Sequence, residues 1–243
     1  MSTAVEVMDA LAEVSDAEDA VFLQRYFKTG PGDYGEGDVF IGVRVPATRA
    51  IAKRFADLPL DEIGALLDSE VHEHRLAGLI ILNRLFERAS RPKARDDEQR
   101  ERLAAFYLAA VRRGRVNNWD LVDLSAPNVL GEYLVDRPHN LLFALAASDV
   151  LWERRVAVLS TFAFIGRGDA STSLALAERL LGDREDLMQK AVGWMLREIG
   201  KRVDRAVLVA FLDAHAAAMP RTMLSYATEH LSPAERAAYR AAR

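Results

Sequence analysis

The chain has 243 residues, half of them hydrophobic, enough to bury the core of one large domain or two small ones. It contains no cysteine, which excludes disulfides, thiolate metal sites and cysteine nucleophiles and fits a reducing cytoplasm. The formal net charge of -4 weighs mildly against a nucleic-acid partner, although 27 of the 32 basic residues are arginines, the side chain best suited to bidentate phosphate contact.

The N-terminal stretch "MSTAVEVMDALAEVSDAED" has neither a basic start nor an apolar run, and no stretch of about 18 apolar residues occurs anywhere, so the expectation is a cytoplasmic protein without a membrane partner. Ser15 with Glu18 has the spacing of a capping box and predicts a helix start. Residues 28–46, "KTGPGDYGEGDVFIGVRVP", interrupt the helical pattern. Their glycines suggest a phosphate loop, but the Gly-Lys-Ser/Thr ending is missing and Asp33, Glu36 and Asp38 would repel a phosphate. The segment therefore reads as an ordered connection, with Pro46 opening the next helix.

Beyond it the apolar period is helical. "HEHRLAGLIILNRLFERA" opens with His72-Glu73-His74, which lacks the one-face spacing of a zinc site and is expected at the surface. "RPKARDDEQRER" reads as a solvated loop and first helical turn. "ERLAAFYLAAVRRG", "LWERRVAVLSTFAFIG", "TSLALAERLLGD" and "DLMQKAVGWMLREIGK" follow, with Gly182 and Gly200 where helices are expected to stop. Ser232-Pro233-Ala234-Glu235 supplies a cap, a first-turn proline and an acidic third position. The predicted fold class is all-α.

A loose repeat runs through the second helices of the predicted pairs. "RLAGLIIL" from Arg75, "RVAVLSTF" from Arg155 and "KAVGWMLR" from Lys190 each open on a basic residue and continue with small and large apolar ones. Such steps match HEAT-like repeats, in which stacked helix pairs form a solenoid with a concave face. The expected organisation is one HEAT-like domain over residues 1–243. Residues 1–45 give an N-terminal helix pair and the glycine-rich connection, and residues 46–243 the stacked pairs.

In "NNWDLVDL", from Asn117, a helix puts Trp119 and Asp123 one turn apart on the same face, with their β-carbons about 6 Å from each other. Asp120 points elsewhere. Spacing alone favours a core tryptophan and a carboxylate that caps the next turn or pairs with an arginine. Arg155 and Trp194, in later second helices, would share the concave surface in a solenoid.

At these residues the sequence resembles the DNA alkylation repair proteins of the AlkD type, HEAT-like DNA glycosylases. The resemblance rests on "RYFK" from Arg25, "WDLVD" from Trp119, "WERRVAVL" from Trp152 and "QKAVGWMLRE" from Gln189, and its order and spacing extend over most of the chain. It implies an active site of Trp119, Asp123, Arg155 and Trp194, with Tyr26, Arg155 and Lys190 facing DNA. It implies hydrolysis of the N-glycosidic bond of N3- or N7-alkylated purines in duplex DNA, with the lesion left stacked and no metal or other cofactor. The protein would then work as a monomer in the cytoplasm, at the nucleoid when bound to DNA. Residues 28–46 look longer than the corresponding link in familiar members. The competing class is a non-catalytic HEAT-like scaffold, which has no need for a carboxylate placed among indoles.

Overall fold

The computed structural model describes residues 2–241, and among them the fold is all-helical. The chain divides into two compact units, Met1–Val129 and Leu130–Arg243. The first holds α1 (Ala4–Ala12), α2 (Ala17–Tyr26), α3 (Val45–Arg54), α4 (Leu60–Leu67), α5 (His72–Ala89), α6 (Asp97–Arg112) and α7 (Trp119–Ser125). The second holds the one-turn α8 (Glu132–Leu134), α9 (Asn140–Ala146), α10 (Leu151–Ser160), the short α11 (Phe162–Ile165), α12 (Ser171–Arg179), α13 (Asp186–Arg202), α14 (Arg205–His215), α15 (Arg221–Ala227) and α16 (Pro233–Ala241).

The helix starts follow from local chemistry. Thr3 and Glu6 form a reciprocal capping box at α1. Ser232 and Glu235 do the same before α16, as the sequence predicts. The start of α2 differs from expectation. Its cap is Asp16, whose carboxylate accepts from Asp19 N at 2.8 Å, while the Ser15 hydroxyl turns back to the Ala12 carbonyl. An ionised carboxylate is the stronger acceptor at a positive helix end, so it displaces its neighbour. Pro46 stands in the first turn of α3, as expected.

Each unit is built round one long helix. In the first, α5 packs against α1, α3, α4, α6 and α7 and is buried on nearly every side. Each fully enclosed leucine there, such as Leu79 or Leu82, contributes about 2 kcal/mol of burial. In the second, α13 packs against α10, α11, α12, α14 and α15. Gly200 lies inside α13 rather than at its end: a Cβ there would fall 2.5 Å from Leu208 Cδ2, so the missing side chain lets α14 approach. Gly182 stands in the turn after α12, where a stop was expected.

Three helices begin alike. In α5 the extended cap is Val71, and four residues on, Arg75 Nη1 reaches back to the carbonyls of Ser69 and Glu70 at 3.0 and 3.2 Å. In α10 the cap is Val150, and Arg154 Nη1 reaches back to Ser148 and Asp149 at 3.0 and 2.9 Å. In α13 the cap is Glu185, and Gln189 Nε2 donates to Asp183 O at 3.1 Å. The recurring position is therefore Arg75, Arg154 and Gln189, one residue before Arg155 and Lys190, where the sequence pattern alone places it. Helical side chains lean toward the N-terminus, and only the residue four past the cap leans over the preceding loop.

Candidate functional site

The sequence "NNWDLVD" sets the start of α7. Asn118 is extended and fully buried; its Oδ1 accepts from Trp119 N at 2.8 Å and its Nδ2 donates to Asp38 Oδ2 at 2.9 Å. Trp119 and Asp123 follow one turn apart, both half-buried. From α5, Asn83 Nδ2 holds the far end by donating to Leu124 O at 2.9 Å. The buried Tyr107 hydroxyl lies 3.0 Å from Ser125 Oγ, and burial together with the negative charge of Asp123 pushes its pKa up.

Asp38 and His72 are the hub beside Trp119. Asp38 accepts from Arg75 Nη2 at 2.5 Å, and His72 Nδ1 lies 3.1 Å from its Oδ2. His72 Nε2 lies 2.8 Å from Asp120 Oδ2. An imidazole with a carboxylate oxygen at each nitrogen must carry both protons to donate twice. Burial alone would lower the His72 pKa, but the charges and hydrogen bonds of Asp120 and Asp38 override it and hold it at about 9. Burial likewise works to raise the Asp38 pKa, and His72, Arg75 and Asn118 together hold it below the usual carboxylate value.

Two residues expected at the surface and one expected to point away lie in or beside this hub. His72 and Glu73 are each 1% exposed rather than at the surface, because the glycine-rich segment folds over the start of α5. Val39 N donates to Glu70 O, His72 N to Val39 O, and the Glu73 carboxylate accepts from the backbone N–H groups of Ile41, Gly42 and Val43. Asp120, expected to point away, is the carboxylate that binds His72.

Aromatic rings complete this site. Trp119 stacks on Phe27 with centroids 5.3 Å apart, Phe27 on Phe40 at 5.0 Å, and Phe40 on His72 at 4.5 Å. Tyr26, 55% exposed, meets Trp119 edge to face at 6.1 Å. A cleft of about 440 Å³ opens here, lined by Phe22, Tyr26, Phe27, Phe40, Trp119 and Asp120 among others. Tyr26 and Trp119 thus meet in the first unit, on the helices that carry the resemblance. Asp38, His72, Phe27 and Phe40 were missed; polar residues on both sides of Trp119 at a helix start were the one local hint.

The remaining candidates lie in the second unit. Arg155 of α10 is 4% exposed and donates through Nη1 to Leu187 O at the start of α13. On α13, Trp194 is half-buried; its Nε1 donates to Glu198 Oε1 at 3.3 Å, and Phe162 lies 6.1 Å away. Burial works to raise the Glu198 pKa, but Arg202 and Arg197 hold it below its usual value. Lys190 pairs with Asp186 at 2.7 Å. Counted from the cap of each helix, Asp123, Arg155 and Lys190 all occupy the fifth position. Among the described residues no group of three or more His, Asp or Glu side chains could hold a metal ion, and no helix is long and apolar enough to cross a membrane.

Comparison with known proteins follows the same line. Among solved structures, a chain described as a predicted DNA alkylation repair enzyme from Enterococcus faecalis shares the fold, with a TM-score of 0.68 and 18% identity over 90% of this chain and 97% of that one. No protein of curated function matches significantly. The model of the DNA alkylation repair enzyme family matches residues 7–231, nearly the whole sequence. The chain belongs to the DNA alkylation repair enzyme family.

Proposed function

We propose that this protein is a monofunctional DNA glycosylase of base excision repair, hydrolysing the N-glycosidic bond of N3- or N7-alkylated purines in duplex DNA without flipping the base. The observation that carries the reading is the pairing of Trp119 and Asp123 one turn apart on α7, with Tyr26 against the indole, in a chain of the alkylation repair family. The recurrent helix starts support a HEAT-like repeat, and the shared register of Asp123, Arg155 and Lys190 fits repeat positions given over to function.

The chemistry suits these groups. Alkylation at N3 or N7 gives the purine a formal positive charge, so the base departs with the glycosidic electron pair as a neutral molecule and needs no general acid. Positive charge moves to the deoxyribose, where the Asp123 carboxylate stabilises it and orients the water that adds to C1′ and sheds its proton. The indoles of Trp119 and Trp194 attract the cationic nucleotide, by about 0.5 to 2 kcal/mol each. Arg155, buried and bound to the start of α13, offers a fixed positive charge, either to hold Asp123 in place and ionised or to contact a backbone phosphate of the DNA. Tyr26 and Lys190 contact the backbone. No cofactor is needed, and a monomer at the nucleoid suffices.

The test is to incubate the protein with methylated duplex DNA and identify the released bases by mass spectrometry. Release of 3-methyladenine or 7-methylguanine supports the reading. Binding to the duplex with no release from any alkylated purine would make the chain a non-catalytic DNA-binding scaffold.

A further inference from the structure

We infer that His72 is a positioning residue for Trp119, holding the indole in place through two separate routes that both end at its imidazolium. The first route is polar and reaches the backbone. His72 Nε2 holds Asp120, the residue after Trp119. His72 Nδ1 shares Asp38 with Asn118, the residue before it. The tryptophan's two chain neighbours are thus tied to one buried ring. The second route is apolar and reaches the side chain: His72 stacks on Phe40, Phe40 on Phe27, and Phe27 on the Trp119 indole, with successive rings tilted by only 22°, 18° and 19°.

The circuit needs the imidazolium. A neutral imidazole has one N–H and could donate to Asp38 or to Asp120, leaving a lone pair against the other carboxylate. Charged groups face His72 from each packed element: Asp38 from the glycine-rich segment, Asp120 from α7, and Arg75 from its own helix through Asp38, while Glu73 is turned to the backbone of residues 41–43. Phe27 and Phe40 supply the remaining wall. The glycine-rich segment therefore acts as the strap that closes this circuit. Deprotonation or replacement of His72 releases the start of α7, and the indole loses its fixed orientation.

The importance of this circuit for catalysis rests on the glycosylase reading; its structural half does not. In the free protein, the three indole N–H signals are followed by heteronuclear NMR from pH 7.5 to 10, with Trp119 assigned through Trp119→Phe. The Trp119 signal is expected to move with a midpoint near 9 while those of Trp152 and Trp194 stay; a Trp119 signal that does not titrate overturns the inference. His72→Phe keeps the ring column and removes both hydrogen bonds. At pH 7.5 it is expected to slow single-turnover excision by roughly tenfold with duplex Kd unchanged. A rate within twofold of wild type also overturns the inference. Should His72→Phe not fold, the wild-type titration decides. Should wild type release no base, the glycosylase reading fails and the NMR result stands by itself.

Discussion

Raising the pH from 7 to 9.5 removes one of the two N–H protons through which His72 binds Asp38 and Asp120. Its pKa is about 9 in the folded protein against 6.5 as a free side chain. A folded-state pKa above the unfolded one means that the stabilisation is fully present below 6.5 and is lost as the pH rises through 9. At about 1.4 kcal/mol per pKa unit, the part still present at pH 7 is about 2 to 3 kcal/mol, nearly all of it gone by 9.5. Urea unfolding followed by helical circular dichroism at half-unit intervals should show the midpoint falling across this window. Asp120→Asn, which removes one of the two carboxylates, should be less stable at pH 7 and show a shallower fall displaced to lower pH. A wild-type midpoint that stays constant from pH 7 to 9.5, or an equal fall in His72→Phe, would mean that the His72 imidazolium does not stabilise the fold.

Three further outcomes are expected. Gly42 adopts a φ of 83°, and a Cβ there would lie 1.9 Å from the Asp16 carbonyl oxygen, so Gly42→Ala should cost at least about 2 kcal/mol in urea melts and loosen the strap over His72. Trp119→Ala and Trp194→Ala should each slow excision of a cationic lesion while affinity for undamaged duplex stays nearly unchanged; a melting temperature that falls in step with activity would return both indoles to a packing role. Despite the formal charge of -4, affinity for duplex DNA should fall steeply with salt as bound arginines release counterions, and a salt-independent affinity would point to a protein partner.

The helical fold was legible because its signals are local. Apolar spacing, the Ser232 cap and Pro46 act within one turn of chain, and each stands where the pattern places it. The repeat was legible only to within a residue. Adjacent Arg154 and Arg155 look alike in a sequence, and only the position of the Val150 cap tells which one leans back over the loop. Trp119 and Asp123 could be found from their spacing and from the family resemblance. The hub beside them could not. His72 lies 34 residues from Asp38 and 48 from Asp120, so no window contains the circuit. A His-Glu-His run reads as surface on an ordinary amphipathic helix, whereas α5 is enclosed on nearly every side and buries its polar first turn against a glycine-rich strap.

Asp123→Asn, which keeps the side chain's shape and removes its charge, tests whether Asp123 acts on the developing sugar cation. Single-turnover release of 7-methylguanine from duplex DNA is measured beside duplex affinity and a melting curve on the same sample. The chemical step is expected to slow by roughly 10² to 10³, as for loss of a preorganised electrostatic group, with affinity equal or slightly higher and folding intact. An Asp123→Asn protein that releases the base at the wild-type rate, or loses activity only in proportion to a stability loss of about 1 to 3 kcal/mol, would contradict this role of Asp123.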